Sequence, residues 1–503
     1  MTWWREAVVY QIYPRSFCDT NGDGIGDLNG VRSKLAYLKD LGVDALWLSP
    51  IFPSPMRDFG YDVSDYTGID PVFGTLSDFD DLVREAHERG IRVLLDWVAN
   101  HTSSDHPWFV DSRSSTTSAH RDWYVWRDAR PDGSLPNNWV RAWSEEAAWT
   151  WDETTGQYYL HCFLPSQPDL NWANVDVRSA MHETLRFWLD RGVDGFRMDV
   201  IHLLGKEIER DDPEELRVLS HTPLNDVAVT HDYLREIRSV LAAYEGDRVA
   251  VGEVYLLDPE RVATYYGDND ELHLSFNFAS LFTPWRANAW RDIIEKTESA
   301  LGAVNAWPTW VLSNHDNARV ATRLGGDLQR VRAALVLLLT LRGTPFLYAG
   351  DELGMEDAQI APERVVDPGG RDGCRSPIPW TVSADHGWPG EPWLPFASRG
   401  DVMSVESQDS DESSMLNFTR RLLALRRGHV ALVSGELVDL RVEGDVLSFD
   451  RVSDDSRLRV MVNFKDAPAM SARKSGRVLL TSASGSADGQ LNANEVVVLE
   501  LSK

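Results

Sequence analysis

The sequence predicts an α/β chain: a (β/α)8 TIM barrel, an inserted domain after its third strand, and a C-terminal all-β sandwich domain. Two observations predict it. A local unit recurs, in which an amphipathic helix runs through charged residues and Gly into a short β-branched strand. Residues 35–42 lead in this way into 43–50, 85–90 into 91–96, 187–192 into 193–199, and 339–343 into 344–350. Such repeats describe βα units around buried parallel strands. The second observation is that apolar strands end in polar residues. Asp96 ends 92–96, Arg197 and Asp199 end 195–199, Glu253 follows 249–252, and His315 and Asp316 follow 308–314. Buried strands have no other need of charge there, because unpaired buried charge is costly. Polar residues at the C-terminal ends of several strands mark the catalytic face of a barrel.

Eight strands are expected near 8–14, 45–50, 92–98, 195–200, 249–254, 273–278, 308–314 and 345–350. Gly42, Gly90, Gly192 and Gly343 stand where a helix end calls for a left-handed residue. The span between the third and fourth strands is too long for one helix. Residues 102–172, rich in Trp, Ser, Asp and Pro, are read as an inserted domain on the catalytic face. A second excursion, 351–412, follows the eighth strand, and a helix from Met415 to Arg427 closes the barrel. From about 430 the pattern changes to short alternating strands. The expected division is a barrel over 1–101 and 173–429, an insertion over 102–172, and a sandwich over 430–503.

Composition narrows the function. The 503 residues carry a net charge of −28 and a pI near 4.8. This argues against nucleic acid and anionic membrane surfaces as partners. Cys18, Cys162 and Cys374 form neither a disulfide framework nor a zinc pattern. No secretory signal precedes the first strand and no apolar run is long enough to span a membrane. A soluble, cytoplasmic monomer or weak homo-oligomer is expected. The 20 Trp residues suit both a large core and flat sugar-stacking surfaces.

Arg197 and Asp199 lie two apart on one strand, so their side chains project to the same side. The cation favours an ionised Asp199, as a nucleophile requires. Alone, the pair could equally be a structural ion pair. Glu253 stands between Val251-Gly and Val254-Tyr255, an apolar setting expected to raise its pKa. Asp19, Asn21, Asp23 and Asp27 set oxygen ligands at alternate positions among glycines, which suits a hard cation such as Ca2+ or Mg2+. Neither the helix nor the distal Glu of an EF-hand is present.

The chain resembles the α-amylase family of glycoside hydrolases, on its oligo-1,6-glucosidase and α-glucosidase branch. Residues 96–101 (DWVANH), 195–199 (GFRMD), 252–254 (GEV) and 313–316 (SNHD) resemble the four signature regions in order. Residues 167–171 (QPDLN) resemble the fifth, in the form typical of this branch. The resemblance implies Asp199 as nucleophile, Glu253 as general acid and then base, and Asp316 as a holder of sugar hydroxyls. It implies that His101 and His315 contact the sugar, that Tyr61 stacks under the terminal glucose, and that Asp58 and Arg371 close the non-reducing end. Arg375, four residues on, competes for the role of Arg371. It implies a structural cation at 19–27, with Ile25 lending its carbonyl and no cofactor for catalysis. In this branch Val after the nucleophile is associated with α-1,6 bonds and Thr with α-1,4. Val200 therefore leans to isomaltose-type oligosaccharides, with maltose hydrolysis and transglucosylation or sugar isomerisation as alternatives.

Overall fold

The computed structural model describes residues 2–211, 226–470, 476–483 and 489–502. All eight expected strands form. They are Val9–Ile12 (β1), Ala45–Leu48 (β2) and Arg92–Val98 (β3), before the inserted strands Trp126–Arg127 (β4), Trp149–Asp152 (β5) and Gln157–Leu160 (β6). Gly195–Asp199 (β7), Val249–Gly252 (β8), Leu274–Ser275 (β9), Thr309–Val311 (β10) and Thr344–Tyr348 (β11) complete the set. The parallel sheet runs β10-β11-β1-β2-β3-β7-β8-β9. Between its two ends, Thr309 closes the ring with its side chain. Its hydroxyl donates to the Ser275 carbonyl at 2.6 Å and accepts from the Asn277 amide at 3.1 Å.

Alternation along the strands separates two cores. Val9, Ala45, Trp47, Leu94, Val249, Val251, Val311 and Phe346 pack inside the barrel. Val8, Tyr10, Leu46, Leu48, Val93 and Leu95 pack outward among the helices. Strands buried on both faces are apolar throughout, which explains their continuous apolar runs. Gly42 ends the helix Leu35–Leu41 with φ of 100°, and Gly90, Gly192 and Gly343 also have positive φ. Gly195 answers to a different need: a Cβ there would lie 2.3 Å from the Val249 carbonyl oxygen, so only Gly lets β7 and β8 approach.

The excursion after β3 holds the short helix Pro107–Ser112 and a three-stranded sheet ordered β4-β6-β5. Helix Met415–Gly428 covers the barrel as expected. The C-terminal strands are Glu436–Glu443 (β12), Val446–Val452 (β13), Arg457–Asn463 (β14), Ala469–Met470 (β15), Gly476–Thr481 (β16), Gln490–Leu491 (β17) and Val496–Leu501 (β18). The sandwich is unequal. One layer is a five-stranded sheet, β12-β13-β14-β18-β16, and the other is the two-stranded ribbon β15-β17. Leu491 packs on one face, against Val446, Met461 and Leu499. Leu447, Phe449, Val460 and Val498 turn the other face into the barrel's helical core. No helix among the described residues is long and apolar enough to cross a membrane.

Candidate active site

A cavity of about 230 Å3 opens at the C-terminal ends of the barrel strands. It is lined by Asp58, Tyr61, His101, Asp199, Val200, Glu253, Asp316 and Arg371, all named from the sequence. Trp143, Phe163, Tyr255, Asn317 and Gly369 complete the wall.

Arg197 organises the base. As the strand period requires, it meets Asp199, with Nη1 donating to Oδ1 at 2.6 Å. The same nitrogen donates to Asp96 at 2.8 Å, and Nη2 donates to Glu253 Oε2 at 2.6 Å. One buried guanidinium thus serves three carboxylates delivered by β3, β7 and the end of β8. The expectation that this cation keeps Asp199 ionised is thereby corrected, because the cation is shared. Burial pushes the Asp199 carboxyl well above its ordinary value; Arg197 opposes this, while Glu253 and Asp96 add to it. Burial likewise pushes Asp96 up to about 6, against the pull of Arg197. The apolar setting expected for Glu253 is also corrected: its Oε2 accepts from both Arg197 and the Val200 amide, the latter at 3.0 Å. Val200 aims that amide by taking φ of 34°, a left-handed conformation costly for a β-branched residue.

Two arginines build the opposite wall. Arg371 donates to Asp58 at 2.5 Å and to Asp316 at 2.9 Å, and holds Asp367 through Nε and Nη2. Arg375 donates to Asp367 at 3.0 Å, Asp316 at 3.2 Å and the His315 carbonyl at 2.7 Å. The competition between the two is resolved: Arg371 pairs with Asp58, and Arg375 braces from behind. Burial works to raise the Asp316 carboxyl, but the guanidiniums of Arg371, Arg375 and Arg197 around it favour its charged form, and it is held well below the usual range. Asp58 is fixed from the other side by Gln167, whose amide donates to it at 2.9 Å. Gln167 also lies 3.1 Å from His101 Nε2. Burial lowers both His101 and His315, so both rings are neutral at neutral pH.

Sequence reasoning missed Asp367, which lies in the irregular excursion after β11 and has no strand period to reveal it. It passed over Asp96 as a site residue although it had marked it as an acidic strand end. It also missed Trp143, whose ring stacks 4.4 Å from the Arg371 guanidinium.

The cation loop lies apart from this pocket. Asp19 accepts from the amides of Asn21, Gly22 and Gly24, and Asp23 from that of Ile25. Asp27 caps the helix Leu28–Ser33 through the Gly30 amide. Among the described residues these three carboxylates make no ion pair, and no group of three or more His, Cys, Asp or Glu side chains converges as a metal cluster.

Comparison with known proteins agrees with this geometry. The family described as alpha amylase, catalytic domain, matches residues 11–435. A probable alpha-glucosidase of Rhizobium meliloti (strain 1021) is 42% identical, over 93% of this chain and 90% of its own length. An oligo-1,6-glucosidase of Parageobacillus thermoglucosidasius is 38% identical, over 92% and 91%. The crystal structure of an alpha-glucosyl transfer enzyme, 39% identical, superposes with a TM-score of 0.93 over 99% of both chains. The chain therefore belongs to the alpha-amylase family of glycosidases.

Proposed function

We propose that the pocket takes the terminal α-linked glucose of a short oligosaccharide and releases it by retaining double displacement. The observation that carries this reading is the Arg197 guanidinium, with Asp199 on one nitrogen and Glu253 on the other, beneath a pocket walled by Asp58 and Arg371. Two carboxylates on one guanidinium lie side by side. That suits the separation of about 5–5.5 Å in retaining enzymes better than the wider one of inverting enzymes. An Asp199 oxygen attacks the anomeric carbon as the glycosidic C–O bond breaks, and Glu253 gives its proton to the departing oxygen. Water then attacks the glucosyl ester, Glu253 takes the water's proton, and Asp199 leaves as carboxylate. Asp316 and His101 hold hydroxyls, His315 stands behind Tyr61 outside the pocket lining rather than on the sugar, and the Asp58–Arg371 wall makes the enzyme exo-acting.

Val200 in the pocket wall, together with the oligo-1,6-glucosidase among the relatives, supports a lean to α-1,6 bonds. Glucose release from isomaltose and from maltose, measured side by side, is expected to favour isomaltose, and Val200→Thr to shift the ratio towards maltose. A wild-type preference for maltose would overturn the linkage assignment and move it to the excursion 351–390 or to residues 201–225, of which 212–225 lie outside the described residues. The alpha-glucosyl transfer enzyme favours a second reading, transfer of glucose to a sugar acceptor. Di- and trisaccharide products appearing beside free glucose would distinguish it.

We also propose a structural Ca2+ or Mg2+ in the loop 19–27. The support is three carboxylates, two of them buried, with no cationic partner among the described residues. The ion would be held by Asp19, Asn21, Asp23, Asp27 and the Ile25 carbonyl. A cation kept at a hundred times its Kd contributes about 2.7 kcal/mol. Chelation by EDTA is thus expected to lower Tm, with the initial rate on isomaltose at low temperature unchanged because the loop does not line the pocket. A Tm indifferent to EDTA and to added Ca2+ or Mg2+ would sink the assignment.

A further inference from the structure

Gln11 stands on β1 beneath the pocket, fully buried, and lines none of it. Its amide nitrogen lies 2.7 Å from His315 Nδ1 and 3.2 Å from the Ser49 hydroxyl. Its carbonyl oxygen is buried with no hydrogen-bond partner. A buried acceptor left unpaired is costly. The arrangement therefore spends both amide hydrogens and accepts that cost.

We infer that Gln11 is a positioning residue, whose side-chain amide holds His315 in the tautomer with its proton on Nε2. A nitrogen that accepts from Gln11 carries no proton, so Nε2 must. Nε2 faces the Tyr61 hydroxyl, within hydrogen-bond reach, and Asp316 Oδ2 at 3.3 Å. Tyr61 in turn donates to Asp96 Oδ2 at 3.0 Å. Donation then runs one way, from Gln11 through His315 and Tyr61 to Asp96, and ends on the carboxylate that shares Arg197 with Asp199. The opposite amide orientation breaks this order. Nδ1 would carry the proton, Nε2 would need the Tyr61 hydrogen, and Asp96 would lose that donor.

The charges around the ring agree with a neutral donor. Arg375 binds the His315 carbonyl, Arg197 and Arg371 lie nearby, and Asp316 is the adjacent carboxylate. The Tyr13 and Tyr61 rings lie nearly parallel to the imidazole, with Trp47 edge-on. Burial first, and then the three guanidiniums, disfavour an imidazolium. The consequence for function rests on the sugar-binding reading above: the fixed N–H of His315 holds the Tyr61 ring in the pocket wall, and the neutral imidazole never competes with Glu253 for the catalytic proton.

The test is long-range 1H–15N correlation on the whole chain labelled with 15N-histidine, the His315 signals being those lost in His315→Asn. In the wild type Nε2 is expected to be protonated and Nδ1 bare. Gln11→Glu replaces the donor with an acceptor, so Nδ1 should gain a proton. Its kcat/KM for glucose release should fall about 10- to 100-fold, the effect of a buried donor lost. Gln11→Met keeps the volume without the donor, and serves if the Glu variant does not fold. It should leave a mixture of tautomers and a smaller loss. A wild-type spectrum with Nδ1 protonated would overturn the inference, as would a Gln11→Glu ring unchanged from wild type. A switched tautomer with wild-type turnover would overturn the positioning role and leave the Asp199 and Glu253 assignments standing.

Discussion

Asp199→Asn is expected to cut glucose release from isomaltose by at least about 1,000-fold, equivalent to about 4 kcal/mol of barrier. The amide oxygen of Asn still accepts from Arg197, so the contact seen at 2.6 Å can be kept. What disappears is the negative charge that must form the glucosyl ester. The substitution also removes one of three carboxylates crowded on a single guanidinium. Burial already pushes the Asp199 carboxyl up, so ionising it in the folded protein works against the environment. Loss of that charge therefore should not lower Tm and should raise it slightly. A large rate loss at undiminished Tm separates a chemical role from a structural one. A rate within tenfold of wild type would sink the nucleophile assignment, whatever the Tm.

The barrel and much of its pocket were legible because they follow period and position. Arg197 and Asp199 are two apart on one strand, and that spacing alone puts both side chains at the barrel mouth. The eight strands announced themselves as apolar runs, four of them directly after a helix-ending Gly, since a parallel strand buried on both faces has no alternation to hide it. What stayed illegible was long-range and irregular. Nothing near Arg197 in the chain says that Asp96, a hundred residues away, shares its guanidinium. Nothing near Glu253 says that the Val200 amide will reach it, because that contact depends on a left-handed Val. Asp367 pairs with two arginines from a segment of turns, where sequence offers no facing rule. Electrostatics was harder still. Strand spacing pairs Arg197 with Asp199, whereas the sharing of that guanidinium among three carboxylates, and the burial that pushes Asp199 up, exist only in three dimensions.

Glu253→Gln is expected to separate substrates by their leaving groups. Gln keeps a carbonyl oxygen for Arg197 Nη2 and for the Val200 amide, so the local hydrogen bonds that position residue 253 persist. It cannot deliver a proton. For isomaltose the departing alkoxide needs that proton, and the loss should be about 100- to 10,000-fold. An aryl glucoside with an acidic phenol departs nearly unaided, so its first step should lose far less. Its second step still needs a base to deprotonate water, and the glucosyl ester on Asp199 should accumulate, seen as a burst of phenol followed by slow turnover. Azide needs no deprotonation. It should attack the ester directly, restore phenol release and yield an α-glucosyl azide, with net retention. Equal losses on isomaltose and the aryl glucoside, with no burst and no azide rescue, would remove Glu253 from acid–base work. Asp199 and Glu253 differ chiefly in where each stands on Arg197, and the two substitutions together ask whether that difference in place is a difference in role.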